Sequence, residues 1–279
     1  MKKIAGYAFL CIMIVVMYLP ILVLAVYSFT DSSNIGMIHG FSVQNYVTLF
    51  TKPELSKMIW GTVLLALTSA VLATILGTMG GIGAFYSRKL PSNVIGMMNQ
   101  VPVVNADVVT GFSICILLIV ACGVSKDTYI PLVVGHVVLS APFVYLAVMP
   151  KLKQMDSSLY EAALDLGASP AQALCKVVLP QIAPGIVSGF ALAITLSLDD
   201  YFIASYTKPA TFDTISTYVV NATKGSHTEI KTALWALSTI IFLIVVLVAV
   251  IMNVTGRSGK KAGYDHSGYD NRQKEGATR

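Results

Sequence analysis

Six apolar runs, each long enough to cross a lipid bilayer, dominate this chain of 279 residues. A helix needs about 20 predominantly apolar residues to cross a hydrocarbon core of about 30 Å. The runs cover approximately residues 7–29, 59–86, 95–121, 129–149, 184–206 and 232–255. They predict an all-α polytopic membrane protein with six transmembrane helices. We expect one transmembrane domain over residues 1–256, followed by a polar, disordered tail over residues 257–279.

Composition supports the same class of protein. Hydrophobic residues make up 55% of the chain and charged residues only 12%, whereas a soluble domain averages about 25% charged residues. The net charge of +5 does not indicate nucleic-acid binding, because the basic residues are spread over the loops and the tail instead of one face. The lipid bilayer is therefore the expected environment.

The distribution of lysine and arginine predicts the orientation of the spans. With six spans both chain ends lie on one side of the membrane, and 13 of the 19 Lys and Arg residues share that side. Cytoplasmic loops carry the excess of basic residues. We therefore expect both termini and the polar segment 151–184, hereafter the cytoplasmic loop, to lie in the cytoplasm.

The cytoplasmic loop carries the signals of two short helices. Ser158 followed three residues later by Glu161 is a capping box, which predicts that a helix begins there. Gly167 lies where that helix would end, because glycine tolerates the left-handed conformation of the position after a helix. The first helix would therefore occupy roughly eight to ten residues.

A second start signal follows directly. Ser169 can cap a helix, Pro170 suits its first position and Gln172 its third, and we expect Pro180 and Pro184 to end this helix. At about 12–15 Å each, the two helices are too short to span a bilayer. Such a pair favours an element that a partner outside the membrane grips. An amphipathic connector lying on the lipid surface is the alternative.

The predicted spans contain three aspartates and no lysine or arginine. A carboxylate at membrane depth costs about 2.5–3.5 kcal/mol on insertion scales, and no basic side chain within the spans can offset that cost. The aspartates are then protonated, paired with another subunit, or placed in a wet cavity that receives a cation. They are Asp107, Asp199 and Asp200. For each of them a packing role, as a protonated or capped helix-breaking residue, is the alternative.

The surroundings of the aspartates favour a cavity. Asp107 follows Pro102, which interrupts the backbone hydrogen bonds of the third run, and irregular backbone at membrane depth is tolerated only where it faces protein or water. Asp199 and Asp200 would point about 100° apart on a regular helix. One of them can then face a cavity and the other a neighbouring helix, and we expect Asp199 to face the cavity.

Aromatic residues accompany the aspartates in the same runs. Carboxylates combined with aromatic faces hold alkylammonium groups through charge and cation–π attraction. The candidate aromatic residues are Tyr145, Tyr201 and Tyr206. His136, alone in the fourth run, is more typical of a hydrogen-bonded packing residue than of a ligand.

The chain lacks the sequence motifs of an energy source of its own. It has no phosphate-binding loop of the G-x4-G-K-[ST] kind and no hydrolase or metal-ligand motif. We therefore predict no catalytic residue and no metal site. Uphill transport by this chain would depend on a partner or on an ion gradient.

The cytoplasmic loop resembles a known family motif. Glu161-Ala-Ala-x3-Gly167, followed after nine residues by Val177-x-Leu179-Pro180, resembles the EAA loop of binding-protein-dependent ABC importers, with Val177 where the family usually has Ile. Further likenesses are to the permeases of spermidine/putrescine importers, the PotC-type family. They include Ala106-Asp-Val-Val, Leu139-Ser-Ala-Pro-Phe-Val and Leu196-Ser-Leu-Asp-Asp-Tyr-Phe.

This resemblance implies a type I ABC importer permease in the bacterial plasma (inner) membrane. It implies a heterodimer with a homologous permease subunit, two ATPase subunits that bind ATP and Mg, and an extracellular polyamine-binding protein. No cofactor is implied in this chain itself. The three aspartates would hold the ammonium groups of the polyamine. The residues implied in coupling to the ATPase are Glu161, Ala162, Ala163, Asp165, Gly167, Ala168, Leu179 and Pro180.

Two alternatives stay open. An importer of the same architecture for a ferric ion or another organic cation would carry the same loop. A proton-coupled secondary transporter could use Asp107 or Asp199 as a proton relay, but it would have no need of the loop.

Overall fold

The computed structural model describes residues 2–30, 40–156, 158–224, 234–244, 246–247 and 250. Its contacts divide the chain into two units, Met1–Ile241 and Phe242–Arg279. The first unit contains nearly all of the described residues. The second is described only over a few residues at its start, so the predicted tail at 257–279 lies outside the described residues.

Helices form almost all of the regular structure in the described residues. They are α1 (Lys2–Ser28), α2 (Gln44–Thr51), α3 (Pro53–Tyr86), α4 (Lys89–Val104), α5 (Asp107–Ile116), α6 (Ile130–Gln154), α7 (Ser158–Asp165), α8 (Pro170–Ala173), α9 (Leu179–Asp199), α10 (Phe202–Thr207), α11 (Ile215–Lys224) and α12 (Leu234–Ile244). Two wider π-helical turns occur, Leu117–Ala121 after α5 and Leu174–Val178 between α8 and α9.

Four helical segments of the described chain are long and apolar enough to cross a membrane. They are Phe9–Ser28, Pro53–Tyr86, Ile130–Gln154 and Pro170–Asp199. Helices α4 and α5, bent by 107° at the break between them, make a fifth span if they are taken together. The all-α membrane fold is confirmed over these residues. Six complete spans are not, because much of the sixth run lies outside the described residues.

Helices α3, α6 and α9 form the centre of the first unit. A Cβ atom on Gly77 of α3 would lie 2.7 Å from Cβ of Val144 on α6, and one on Gly189 of α9 would lie 3.0 Å from Cγ1 of the same valine. Val144 is fully buried. Glycines therefore allow three long helices to converge on one side chain, as small residues do in membrane interfaces.

The third run is not a single straight helix, and its break is not at Pro102. Helix α4 continues through Pro102 to Val104, and the chain turns at Asn105 and Ala106, both in extended backbone. Across the turn the Asn105 Nδ2 donates to Thr110 Oγ1 at 3.0 Å. A side-chain donor thus supports the bend where the backbone ladder is interrupted.

The prediction that Pro180 and Pro184 end the second short helix is wrong. Residues Pro170–Asp199 form one continuous helical segment of 30 residues. A π-helical turn lies just before Pro180, so this proline falls in the first turn of α9, where a missing N–H costs little. The cytoplasmic loop therefore leads directly into the fifth span.

The fifth run is itself broken at its far end. Helix α9 ends at Asp199, Asp200 is extended with ψ 124, and α10 begins at Phe202. The regular helix expected through Asp199 and Asp200 is therefore absent. The run is interrupted at the two aspartates, and Ile203 just beyond them is fully buried.

Candidate functional site

The three predicted aspartates meet at one cavity of about 270 Å³. Asp107 is the first residue of α5, directly after the bend, whereas Asp199 and Asp200 lie where α9 ends. Two breaks in membrane helices therefore bring the carboxylates together. The full lining is Asp107, Leu139, Thr195, Leu196, Asp199, Asp200, Tyr201 and Phe202.

The carboxylates are not equivalent. Asp107 and Asp199 are exposed, whereas Asp200 is only 8% exposed. The Asp200 carboxylate accepts hydrogen bonds from the backbone N–H of Ile203 at 3.2 Å and of Ala204 at 2.8 Å. Asp200 thereby caps α10, which is the packing role that the sequence left open for each aspartate.

Helix α10 is held in place by two glycines on neighbouring helices. A Cβ on Gly111 of α5 would lie 2.9 Å from Cα of Ile203, and one on Gly135 of α6 would lie 2.6 Å from its Cγ2. Either contact is shorter than real side chains accept, so only glycine fits at both positions. This notch, formed by Gly111 and Gly135, fixes α10 and with it the break that carries Asp199 and Asp200.

A buried polar chain lies behind the cavity. Ser69 Oγ on α3 is 3.1 Å from Ser197 Oγ on α9, and Ser197 Oγ is 2.9 Å from His136 Nδ1 on α6. His136 Nε2 lies 3.7 Å from Asp200 Oδ2. The sequence indicated that His136 is a hydrogen-bonded packing residue, which is confirmed. Its position beside Asp200 has no sequence signal, because the two residues lie on different helices.

The predicted aromatic residues divide between the cavity and its surroundings. Tyr201 lies in the lining, edge-to-face with Phe202 at a centroid distance of 5.3 Å. Tyr206 packs edge-to-face on Phe112 at 5.9 Å. Tyr145 is buried, with its hydroxyl 3.7 Å from the position of a Cβ on Gly96 of α4. Neither Tyr145 nor Tyr206 is among the residues that line this cavity.

The first helix of the cytoplasmic loop ends as its sequence predicts. Gly167 has φ +87, its N–H donates to Leu164 O at 2.9 Å, and the Ala168 N–H donates to Ala163 O at 3.0 Å. These two bonds form a Schellman motif. The second start signal is also confirmed, because Ser169 and Gln172 form a reciprocal capping box.

The start of α7 differs in its cap. The helix begins at Ser158 as predicted, but the backbone N–H of Ser158 donates to Asp156 Oδ1 at 3.0 Å. Glu161 is exposed on the first turn of this helix. The remaining predicted coupling residues are exposed or half-buried on the surface of the loop: Ala162, Ala163, Asp165, Gly167, Ala168, Leu179 and Pro180.

Sequence comparison places this arrangement among membrane transport proteins. Residues 73–258 match the family described as binding-protein-dependent transport system inner membrane component. The chain is 32% identical over 231 residues to the putrescine transport system permease protein PotI of Escherichia coli (strain K12), with 81% of each chain covered. It is 29% identical over 242 residues to the spermidine/putrescine transport system permease protein PotC of Haemophilus influenzae, covering 87% of this chain and 93% of the relative.

Structure comparison agrees at the level of the fold. The crystal structure of a bacterial alginate ABC transporter, in complex with an alginate pentasaccharide-bound periplasmic protein, contains a chain similar to this one with a TM-score of 0.70. The likeness covers 92% of this chain and 95% of the other, at 17% sequence identity.

Proposed function

Because the chain belongs to the family of binding-protein-dependent transport system inner membrane components, we propose that it is the membrane-spanning permease subunit of an ATP-driven importer for polyamines such as spermidine and putrescine. The cargo crosses by alternating access, in a cavity that opens to one side of the membrane at a time. The chain itself catalyses no reaction, and ATP is hydrolysed by a partner.

One observation carries this proposal: a single helix joins the cytoplasmic loop to the cavity. The segment Pro170–Asp199 has 30 residues, which is about 45 Å at 1.5 Å per residue. It begins in the cytoplasmic loop and ends at Asp199 in the cavity lining. A force that a partner applies to the loop therefore moves a cavity carboxylate as part of the same element.

The other half of the loop is attached to a second long helix. The ring of Tyr160 on α7 lies 4.9 Å from the ring of Tyr86 at the end of α3. Leu174 and Leu179 pack against the apolar cluster between α3, α6 and α9. The inner face of the loop is thus bound to the spans, whereas its outer face, with Glu161, is left for an ATPase subunit to contact.

The cavity has the chemistry that a polyamine requires. The exposed carboxylates of Asp107 and Asp199 can accept charge-assisted hydrogen bonds from ammonium groups. The rings of Tyr201 and Phe202 border the same cavity, where cation–π attraction and apolar contact suit a methylene chain that carries amines. The names of PotI and PotC support polyamines over the ferric ion that the fold would also allow.

Partner subunits complete the transporter. None of the most apolar stretch of Phe9–Ser28 is buried within this chain, so lipid or a second subunit must cover it. A homologous permease subunit in a heterodimer supplies part of that cover. Two ATPase subunits bind ATP and Mg on the cytoplasmic side, and a polyamine-binding protein delivers cargo from outside. The complex lies in the bacterial plasma membrane, with both termini of this chain in the cytoplasm.

Uptake by the reconstituted complex tests the proposal. Proteoliposomes that contain the chain with its partner permease and ATPase subunits, supplied with the polyamine-binding protein, should take up labelled putrescine or spermidine when ATP is present and the proton gradient is collapsed. Uptake that follows the proton gradient and ignores ATP would identify a secondary transporter instead. Uptake that ferric ion, but no polyamine, competes away would identify the other cargo.

A matched pair of variants connects uptake to the cavity. Asp199→Asn should raise KM for the polyamine by at least about tenfold, because a charge-assisted contact to the ammonium group is lost. Asp127→Asn, at an exposed aspartate outside the cavity lining, is the control and should leave KM unchanged. Equal KM values for both variants would remove Asp199 from the cargo site.

A further inference from the structure

The row of buried polar side chains behind the cavity, Ser69, Ser197 and His136, has fewer hydrogens to donate than it has contacts to satisfy. Ser69 Oγ donates to the backbone carbonyl of Leu65 at 2.7 Å, and it also lies 3.1 Å from Ser197 Oγ. Ser197 Oγ lies in turn 2.9 Å from His136 Nδ1. A hydroxyl has one hydrogen to donate. If Ser69 donates to Leu65, then Ser197 must donate to Ser69. The third contact is then a hydrogen bond only if Nδ1 of His136 carries a hydrogen and donates it to Ser197.

This direction of donation determines what the other side of the imidazole presents. A neutral histidine that carries its hydrogen on Nδ1 has a lone pair on Nε2. That lone pair would face the Asp200 carboxylate at 3.7 Å. Nε2 is fully buried and has no hydrogen-bond partner among the described residues. Two acceptors facing each other without a hydrogen between them would be unfavourable in a buried site.

One additional proton removes the conflict. Placed between Nε2 and Oδ2, it supplies the missing donor, and it needs the two atoms to approach by less than about 1 Å to reach hydrogen-bond distance. The carboxylate of Asp200 already accepts from the N–H groups of Ile203 and Ala204. With the shared proton, the buried groups of His136 and Asp200 are all satisfied.

We propose that His136 and Asp200 share one proton and form a neutral positioning pair, so that among the described residues of the cavity lining Asp107 and Asp199 alone present negative charge to the cargo. The pair takes the proton from a solvent hydronium ion that reaches it through the cavity, which leaves a neutral water molecule; no bond between heavy atoms changes. The other charged residues in the lining of the same cavity are Asp107 on α5 and Asp199 on α9. This inference depends on the proposed function, because it divides the roles of the carboxylates at that site.

A positioning pair predicts a specific pattern in a double-mutant cycle. His136→Leu leaves the buried Asp200 charged, with only the backbone N–H groups of Ile203 and Ala204 as partners, so Vmax for polyamine uptake should fall by at least about tenfold. Asp200→Asn keeps an oxygen that can accept a hydrogen bond from the N–H of Ala204 and carries no charge, so Vmax should fall less in this variant. The double variant should then match Asp200→Asn alone, because the neutral amide no longer needs the shared proton.

A conservative variant separates charge from shape. His136→Gln retains a donor near Asp200 but cannot hold the additional proton, so it should be impaired in the natural background and restored by Asp200→Asn. The amount of assembled complex and its Tm are measured for every variant. If His136→Leu and His136→Gln each cause the same fold loss in the natural background as in the Asp200→Asn background, the two residues act independently and the inference is overturned.

KM separates failure of this inference from failure of the proposed function. Because the neutral pair presents no net charge to the cargo, KM should change less in the double variant than in Asp107→Asn or Asp199→Asn. Asp107→Asn and Asp199→Asn should instead raise KM. If the natural complex shows no ATP-driven polyamine uptake, the proposed function fails, and if neither variant changes KM, the cavity is not the cargo site and the division of roles within it is refuted. If both raise KM while the cycle is additive, only the shared proton is refuted.

Discussion

Two helix interruptions in this chain, at Gly167 and at Asp200, are constructed in opposite ways. At Gly167 the backbone turns with φ +87, and a Cβ there would meet no atom within 4 Å. At Asp200 the backbone keeps an ordinary negative φ, and the side chain is buried with its carboxylate capping α10. The first interruption lies in the cytoplasmic loop and the second at the cavity.

The difference lies in where each interruption finds its support. An exposed turn can use water for any backbone group that its own residues leave unpaired, so local residues are sufficient. A break at membrane depth has no water except in a cavity, so neighbouring helices must supply partners and space. Substitutions at the cavity break should therefore disturb the whole structure, whereas those at the loop should disturb coupling.

The largest effect is expected where α10 docks. In Gly111→Ala the new methyl group would lie 2.9 Å from the backbone Cα of Ile203, and overpacking of this kind costs about 1–3 kcal/mol. Polyamine uptake should fall by at least about tenfold and the Tm of the complex should drop. Gly83→Ala is the control, since a Cβ there meets no atom within 4 Å. Equal uptake in the two variants would contradict the notch.

A compensating change is available at Gly135, the second glycine of the notch. Gly135→Ala should impair uptake because its methyl group would lie 2.6 Å from Cγ2 of Ile203. Adding Ile203→Ala removes that carbon, so the double variant should regain part of the lost uptake. No recovery would show that Gly135 matters for a reason other than the space it leaves for α10.

A smaller and more selective effect is expected at the loop. Gly167 and Gly123 both have positive φ, +87 and +68, and open space around a Cβ. Alanine at either position adds similar backbone strain, of about 1–2 kcal/mol. Only Gly167→Ala should lower the amount of polyamine transported per ATP hydrolysed. The same loss in Gly123→Ala would mean that strain in general, and not the shape of the cytoplasmic loop, governs coupling.

The smallest effect is expected at the start of α7. Hydrogen bonds from the backbone N–H and the side chain of Ser158 hold the pKa of the Asp156 carboxyl below its ordinary value. A lowered pKa means that the carboxylate stabilises the helix start above the ordinary Asp pKa, and that this contribution is lost as pH falls through the lowered value. Asp156→Ala should speed amide exchange at Ser158 and Leu159 at neutral pH while leaving uptake nearly unchanged. Unaltered exchange would show that Asp156 is not the cap.

The loop could be predicted from sequence largely because its signals are local. Gly167, Ser169 and Gln172 act on backbone groups within a few residues, and each has the predicted role. Pro180 does not end the helix as predicted, because a π-helical turn precedes it and it lies in the first turn of α9, where its missing N–H costs little. Local signals thus identified the helices of the loop but not their continuity with the span.

The cavity was accessible to sequence reasoning only in part. The free-energy cost of a carboxylate in lipid identifies Asp107 and Asp199 as candidate site residues from the sequence alone. Both line one cavity. Asp200 acts as a cap because the helix breaks between α9 and α10, and it lies beside His136 because α6 packs there. No spacing along the sequence predicts either feature. Tertiary contacts, such as Ile203 against Gly111, decide those features.

The most direct test of the account is a structure of the assembled transporter trapped with spermidine during ATP-driven transport. We expect amine nitrogens within about 3 Å of carboxylate oxygens of Asp107 and Asp199, with Asp200 still capping α10. Spermidine bound elsewhere, with Asp107 and Asp199 turned into helix packing, would contradict the account.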